Sequence, residues 1–178
     1  MNPKKTIYDL VAELSDYQNI EDKTLPLLKS FLYSEHFAVQ LCKENGIKTT
    51  TLNKCKNCGH ITDTRLLSLS EIITKLIEEK VISQDSFEIF NLLNKLRNRL
   101  IHDISPDTQK IIEWIGNFDP PTNSAVKDLL KKANSWLRFY LCLIPAIATL
   151  YGKTKDAQIQ LDSVEYNTLT RNWIFHFK

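Results

Sequence analysis

Three residues whose side chains could act on a phosphodiester lie close together in the segment Leu-Arg-Asn-Arg-Leu-Ile-His-Asp at positions 96–103. They are Arg97, Asn98 and His102. A histidine can transfer a proton near neutral pH. An arginine can stabilise the negative charge that builds up on a phosphate as it reacts. An arginine and a histidine, such as Arg97 and His102, can therefore together supply the groups needed to cut RNA without a metal ion.

The motif lies at the end of a long segment with the apolar spacing of an amphipathic helix. The positions of its residues around the helix axis therefore follow from their spacing in the sequence. Asn98 and His102 are four residues apart and share a face, whereas Arg97 lies roughly 140° from His102. A long arginine side chain can still reach the same cleft, and the dipole of a helix C-terminus favours a protonated histidine. The alternative is structural: the Arg-Asn pair caps carbonyl groups and binds a carboxylate, and the histidine only packs.

The rest of the chain predicts the helices that must position this motif. Apolar residues recur at helical spacing in several segments; the pair Ser68 and Glu71 has capping-box spacing, and Pro145 should kink the last helix. The predicted fold class is all-α, a bundle of about six helices in a single domain over 1–178. A small Cys-containing insertion is expected at 47–65, and an irregular or strand-like tail at 153–178. The helices are predicted at 6–17, 24–44, 68–80, 85–102, 105–116 and 123–152.

Composition and charge argue against several classes of function. The net charge is only +2, so any RNA contact must be local rather than the effect of a strongly basic protein. The sequence has no glycine-rich phosphate loop and no motif of ATPases, dinucleotide enzymes or serine hydrolases. The apolar run 139–151 is shorter than the ~20 residues that span a bilayer. We therefore predict a cytoplasmic protein without membrane contact.

The segment 68–103, SLSEIITKLIEEKVISQDSFEIFNLLNKLRNRLIHD, resembles the core of the HEPN superfamily. The signature of that superfamily is an arginine followed, after a short spacer, by a histidine, usually with a polar residue just after the arginine. The layout is also similar to the mannitol-operon-repressor-like branch. The resemblance implies a helical domain that dimerises, so that two motifs face each other across a shared cleft. It also implies a metal-independent endoribonuclease of a toxin–antitoxin or defence system, with RNA as substrate and a cognate antitoxin or regulator as a further partner.

The resemblance assigns a role to each motif residue. Arg97 would stabilise the charge of a phosphorane-like state, His102 would transfer a proton or orient the 2′-hydroxyl and phosphate, and Asn98 would position groups by hydrogen bonding. The mannitol-repressor-like branch keeps a similar motif in regulatory or interaction proteins, so a catalytically inactive module is the alternative. One toxin branch has a tyrosine two residues after the histidine; Ile104 stands there in this chain, which argues against that branch.

A second Arg-Asn-x-x-x-His occurs near the C-terminus, at Arg171, Asn172 and His176. No helical pattern precedes it. Apolar residues alternate with polar ones around His176, which is typical of a strand or of a tail docked on the core. We therefore interpret the repeat as a coincidence rather than a second active site.

The sequence Cys-Lys-Asn-Cys-Gly-His contains a possible metal knuckle, formed by Cys55, Cys58 and His60. Two thiolates at this spacing are typical of structural zinc sites, and Cys42 could complete a Cys₃His set if the insertion folds back. Such a zinc ion would be fully ligated and hence structural, and no cofactor is predicted for catalysis. The alternatives are a tight turn with unligated thiols and a redox pair. Cys142 lies in the apolar run and is predicted to be a core residue.

Overall fold

A computed structural model describes a large part of the chain. The described residues are 7–16, 24–54, 61–102, 113, 135–155, 159, 161–169 and 172–177. They contain five α-helices, one short 3-10 turn and two antiparallel β-hairpins. The predicted predominance of helix is confirmed, but the all-α fold class is wrong because of the four strands. Five helices rather than about six are described, and the helix predicted at 105–116 lies outside the described residues, apart from Glu113.

The helices follow the apolar periodicity of the sequence. They are α1 (Ile7–Asp16), α2 (Thr24–Glu44), α3 (Leu69–Glu78), α4 (Phe87–His102) and α5 (Ser135–Lys153). Helix α2 packs against α3, α4 and α5 and so lies at the centre of the fold. Pro26 stands in the first turn of α2, where a missing backbone N–H removes no intrahelical hydrogen bond. The first part of the predicted helix 123–152 lies outside the described residues.

Helix α5 contains the apolar run 139–151 and is the most deeply buried element. Nine of its residues from Phe139 to Ala148 are at least nine-tenths buried, and Cys142 is among them. Tyr140 is fully buried, and its hydroxyl donates to the backbone carbonyl of Leu14 at 2.7 Å. That hydrogen bond joins α5 to α1 and satisfies a hydroxyl that would otherwise be buried without a partner.

The described residues of the insertion predicted at 47–65 form two paired strands. Strand β1 (Thr50–Lys54) pairs antiparallel with strand β2 (Ile61–Leu66), and the register shifts near the far end, after Asn53. At the near end, the Leu67 backbone N–H donates to the Thr49 carbonyl at 2.9 Å. The β-branched threonines of both strands favour extended backbone, but the strands lack the alternation of apolar residues that would predict them.

The C-terminal tail is strand-like, as the sequence predicts. Strand β3 (Leu161–Asn167) pairs antiparallel with β4 (Asn172–Phe177), and β4 packs against α1. Leu161 and Phe175 join the hydrophobic core, so the tail is docked on the helices. An isolated two-stranded sheet is marginal in water, and this contact with the helices stabilises the hairpin.

Two helices end in the same backbone motif, but with different residues at its left-handed position. After α2, Gly46 has φ 69°, and the Ile47 N–H donates to the Cys42 carbonyl. After α3, Lys80 has φ 58°, and the Val81 N–H donates to the Leu76 carbonyl. Both are Schellman motifs, in which glycine is favoured because a Cβ atom is strained there.

We expect the substitution Lys80→Gly to stabilise the protein. Relief of the left-handed strain outweighs the entropy that glycine adds to the unfolded chain, which leaves a net gain of about 0.5–1 kcal/mol. Urea unfolding measures the change in the free energy of unfolding. The matched substitution Gly46→Ala should instead lose about 1 kcal/mol, although its Cβ would meet no atom within 4 Å. A loss of stability in Lys80→Gly would contradict the assignment of strain to this position.

A capping box with an added ion pair fixes the start of α3. The Ser68 backbone N–H donates to the Glu71 carboxylate at 2.8 Å, and the Glu71 N–H donates back to the Ser68 hydroxyl. Arg65 of β2 binds the same carboxylate through both terminal nitrogens. The Arg65 hydrogen bonds, followed by those from Ser68, lower the pKa of Glu71 to about 2. The hairpin and α3 are therefore joined through one carboxylate.

We expect Glu71→Gln to destabilise the protein by about 1 kcal/mol at pH 7, since the Glu71 side chain is 39% exposed and solvent screens the pair. A carboxyl with a lowered folded-state pKa stabilises the fold above its unfolded pKa, and this contribution is lost as the pH falls. The difference between wild type and variant should therefore shrink between pH about 4.5 and about 2. Urea unfolding at several pH values tests this, with Glu78→Gln on the same helix as the control. A difference that does not change with pH would contradict the proposed linkage.

Candidate functional site

Helix α4 carries the Arg-Asn-His motif, and its buried residues fix which way the motif faces. Phe90, Leu93 and Leu96 are fully buried and hold one side of the helix against the core. Arg97 follows Phe90 by seven residues, about two turns, and so it extends the buried stripe to the edge of the core, where it is half-buried. Asn98 is exposed. The motif therefore begins where the core meets solvent.

Two contacts orient the Arg97 side chain. Its guanidinium lies over the ring of Phe31 of α2, with the Cζ atom 4.9 Å from the ring centroid. Its Nη1 donates a hydrogen bond of 2.9 Å to the Asn98 Oδ1. The ring face attracts the cation and limits its movement, and a guanidinium has five N–H donors, so the bond to Asn98 leaves others for an anion. A flat cation held in this way at a surface is suited to binding a phosphate.

The hydrogen bond to Asn98 determines the direction in which the Arg97 side chain turns. Arg97 and His102 are on different sides of an ideal helix, whereas Asn98 and His102 share a face. Because the Arg97 guanidinium binds the Asn98 side chain, it turns toward the face that carries Asn98. His102 is the last residue of α4, about 6 Å further along the axis than Asn98. The His102 side chain lies outside the described residues, so its distance from Arg97 stays a prediction.

Phe31 is the site residue that sequence reasoning misses. The sequence assigns it only to the apolar face of α2, and it is indeed almost fully buried. Its contact with Arg97 joins residues that are far apart in the chain. The packing of α4 on α2 creates the contact, and no local pattern in either helix signals it.

The predicted zinc set is described at only one of its four positions. Cys42 lies in the hydrophobic core with no exposed surface. Burial raises the pKa of its thiol, and Lys75 opposes that effect. Because metals bind the thiolate, this surrounding favours a neutral core thiol. Cys55, Cys58 and His60 lie outside the described residues. Among the residues that are described, no group of three or more potential metal ligands occurs. The zinc site stays a prediction.

The second Arg-Asn-x-x-x-His sits in a different structural setting from the first. Asn172 and His176 belong to strand β4, and Arg171 lies outside the described residues. The His176 Nε2 is 3.3 Å from the Glu165 Oε1 of β3, and both side chains are largely exposed. The strand prediction for this segment is confirmed. The repeat does not reproduce the helical geometry of Arg97, Asn98 and His102.

The fold and site define a helix-rich domain with two small hairpins and an arginine–asparagine pair at the edge of its core. No protein-family model, curated protein or solved structure matches the chain. Among the helices within the described ranges, none combines the length and the apolar character needed to cross a membrane.

Proposed function

We propose that this chain is a HEPN-like, metal-independent endoribonuclease or RNA-binding protein of a prokaryotic defence or toxin–antitoxin system. It acts as a homodimer, with the motifs of two copies in a shared cleft, in the cytoplasm, under the control of a cognate antitoxin or regulator. The observation that carries the proposal is the Arg97 guanidinium, fixed by Phe31 and Asn98 on the helix that ends at His102. A phosphate can bind to a cation that is already oriented without a large loss of side-chain entropy.

In the proposed reaction, the 2′-oxygen of the RNA attacks the adjacent phosphorus and the bond from phosphorus to the 5′-oxygen breaks. His102 transfers the proton that this exchange requires. Arg97 donates hydrogen bonds to the phosphate oxygens, on which negative charge accumulates in the transition state. Asn98 holds the guanidinium in position. The products are a cyclic phosphate and a free 5′-hydroxyl, and no metal ion takes part.

The test is incubation of the purified protein with total RNA in the presence of EDTA. We expect cleavage that leaves cyclic phosphate ends, because the side chains supply both the proton transfer and the charge stabilisation. Intact RNA, or cleavage that appears only when a divalent metal is added, would contradict the proposed mechanism. A mock purification from cells without the expressed chain controls for contaminating nucleases.

The second candidate function is a catalytically inactive HEPN-like regulatory or protein-interaction module. The observation in its favour is that Arg97 also has a structural contact, because it covers Phe31 and so joins α4 to α2. In that case Arg97→Ala lowers stability, and the wild-type protein leaves RNA intact. A structural zinc ion at Cys42, Cys55, Cys58 and His60 is compatible with either function, and the zinc content of the purified protein decides that point.

A further inference from the structure

A groove lies between α2 and the base of the β1–β2 hairpin; we call it the α2–β2 groove. Its volume is about 540 Å³, within the range of sites that bind small molecules. Most of its lining is apolar: Leu32 and Val39 of α2, Leu66 and Leu67 at the end of β2, and Ile72 of α3. Leu67 and Ile72 are buried and form its floor.

Two leucines at the rim of the α2–β2 groove are unusually exposed. Leu32 is 61% exposed and Leu66 is 76% exposed. Large contiguous patches of exposed apolar surface are uncommon on monomeric proteins, and they mark interaction sites or ligand-binding grooves. The hydrogen bond between Leu67 and Thr49 fixes the base of the hairpin, which forms one wall of the groove.

One carboxylate gives the α2–β2 groove its charge. Glu35 lines the groove and is half-buried. The residues three and four positions away on α2 are all apolar, so no lysine or arginine on the helix neutralises it. Within the described part of the chain, the groove lining includes no lysine or arginine. The other polar groups in the described lining are His36, whose ring packs edge-to-face with that of Phe37, and Thr49.

We propose that the α2–β2 groove is a binding site for a small organic amine, in which an aryl or alkyl body fills the apolar walls and the ammonium group pairs with Glu35. Such a ligand would cover the exposed parts of Leu32 and Leu66. It would also give a cationic partner to the half-buried Glu35 carboxylate. An anionic ligand of the same shape would bring a second negative charge to Glu35. The proposal concerns a site other than the Arg97 motif and does not depend on RNA cleavage.

Two probes with similar bodies and opposite charges test the proposal. Phenylbutylamine and phenylbutyrate are titrated separately into ¹⁵N-labelled full-length protein, and amide chemical shifts report the site and the affinity. We expect shifts centred on Leu32, Leu66 and Ile72, and binding of the amine at least about fivefold tighter than that of the acid, as one partly screened ion pair allows.

Three variants separate charge, shape and nonspecific contact. In Glu35→Gln, the ratio of the affinity for the amine to the affinity for the acid should fall to about one. Leu66→Ser should weaken the binding of both probes. Leu169→Ser, which alters a leucine that is 93% exposed outside the groove, should change neither. Equal affinity of the two probes, tighter binding of the acid, shifts centred elsewhere or no binding of the amine would each overturn the proposal. So would a preference for the amine that survives in Glu35→Gln.

Discussion

His102→Ala is expected to lower the rate of RNA cleavage by about 10²–10⁴-fold, the usual contribution of a general acid or base. Arg97→Ala should lower it by about 10²–10³-fold, because a single oriented donor to the developing charge contributes on that scale. The two losses should be far from additive if both residues act in the same step. Cleavage of a fluorescent RNA in EDTA under single-turnover conditions measures each rate.

The chain offers a matched control for the histidine. His176 has the same sequence spacing from an Arg-Asn pair as His102 but lies on strand β4 beside Glu165. His176→Ala should therefore leave the rate of cleavage unchanged. Lys95→Ala, which removes an exposed cation from α4, controls in the same way for the loss of positive charge near Arg97.

Two outcomes would contradict the assignment of the Arg97 motif to catalysis. One is an unchanged cleavage rate in His102→Ala. The other is an equal loss of rate in His102→Ala and His176→Ala, which would indicate a general effect on folding. Far-UV circular dichroism of each variant separates lost chemistry from lost structure. Because Arg97 covers Phe31, Arg97→Ala is also expected to lose about 0.5–1 kcal/mol of stability, too little to explain a hundredfold loss of activity.

The largest effect on stability is expected from Phe90→Ala. Phe90 is fully buried in the core on α4, and its removal costs the transfer of an aromatic ring as well as the cavity that is left behind. The loss in the free energy of unfolding should be about 3–5 kcal/mol. Urea unfolding of the wild type and the variant measures it, and Phe90→Leu should lose much less because it leaves a smaller cavity.

The control for the Phe90 substitutions is Leu169, an apolar residue whose side chain lies mostly in solvent. Leu169 is 93% exposed, and Leu169→Ala should change stability by less than about 0.5 kcal/mol. A loss below about 1 kcal/mol in Phe90→Ala would contradict the packing of α4 against α2, α3 and α5. That packing also positions Arg97, so RNA cleavage should fall in Phe90→Ala in proportion to the fraction of unfolded protein.

Part of the candidate site was predictable from the sequence. The placement of Arg97, Asn98 and His102 on one helix follows from the apolar residues before them, and α4 confirms it. The contact between Arg97 and Phe31 was not predictable, because the two residues are on helices that meet only after folding. The α2–β2 groove could not be predicted either, since it requires the hairpin to stand beside α2.

The sequence by itself determined the elements whose signals are local. Helix periodicity placed α1 to α4, and the Ser68–Glu71 pair marked the start of α3, because caps and apolar stripes act within one or two turns. The tertiary structure alone decided the β1–β2 pairing. Its strands have few inward-facing apolar residues, and Leu52 and Leu66 are both exposed, so no alternating pattern indicates them. The strands pair with each other, and Arg65 joins β2 to Glu71 of α3; both interactions require residues that are separated in the chain to meet.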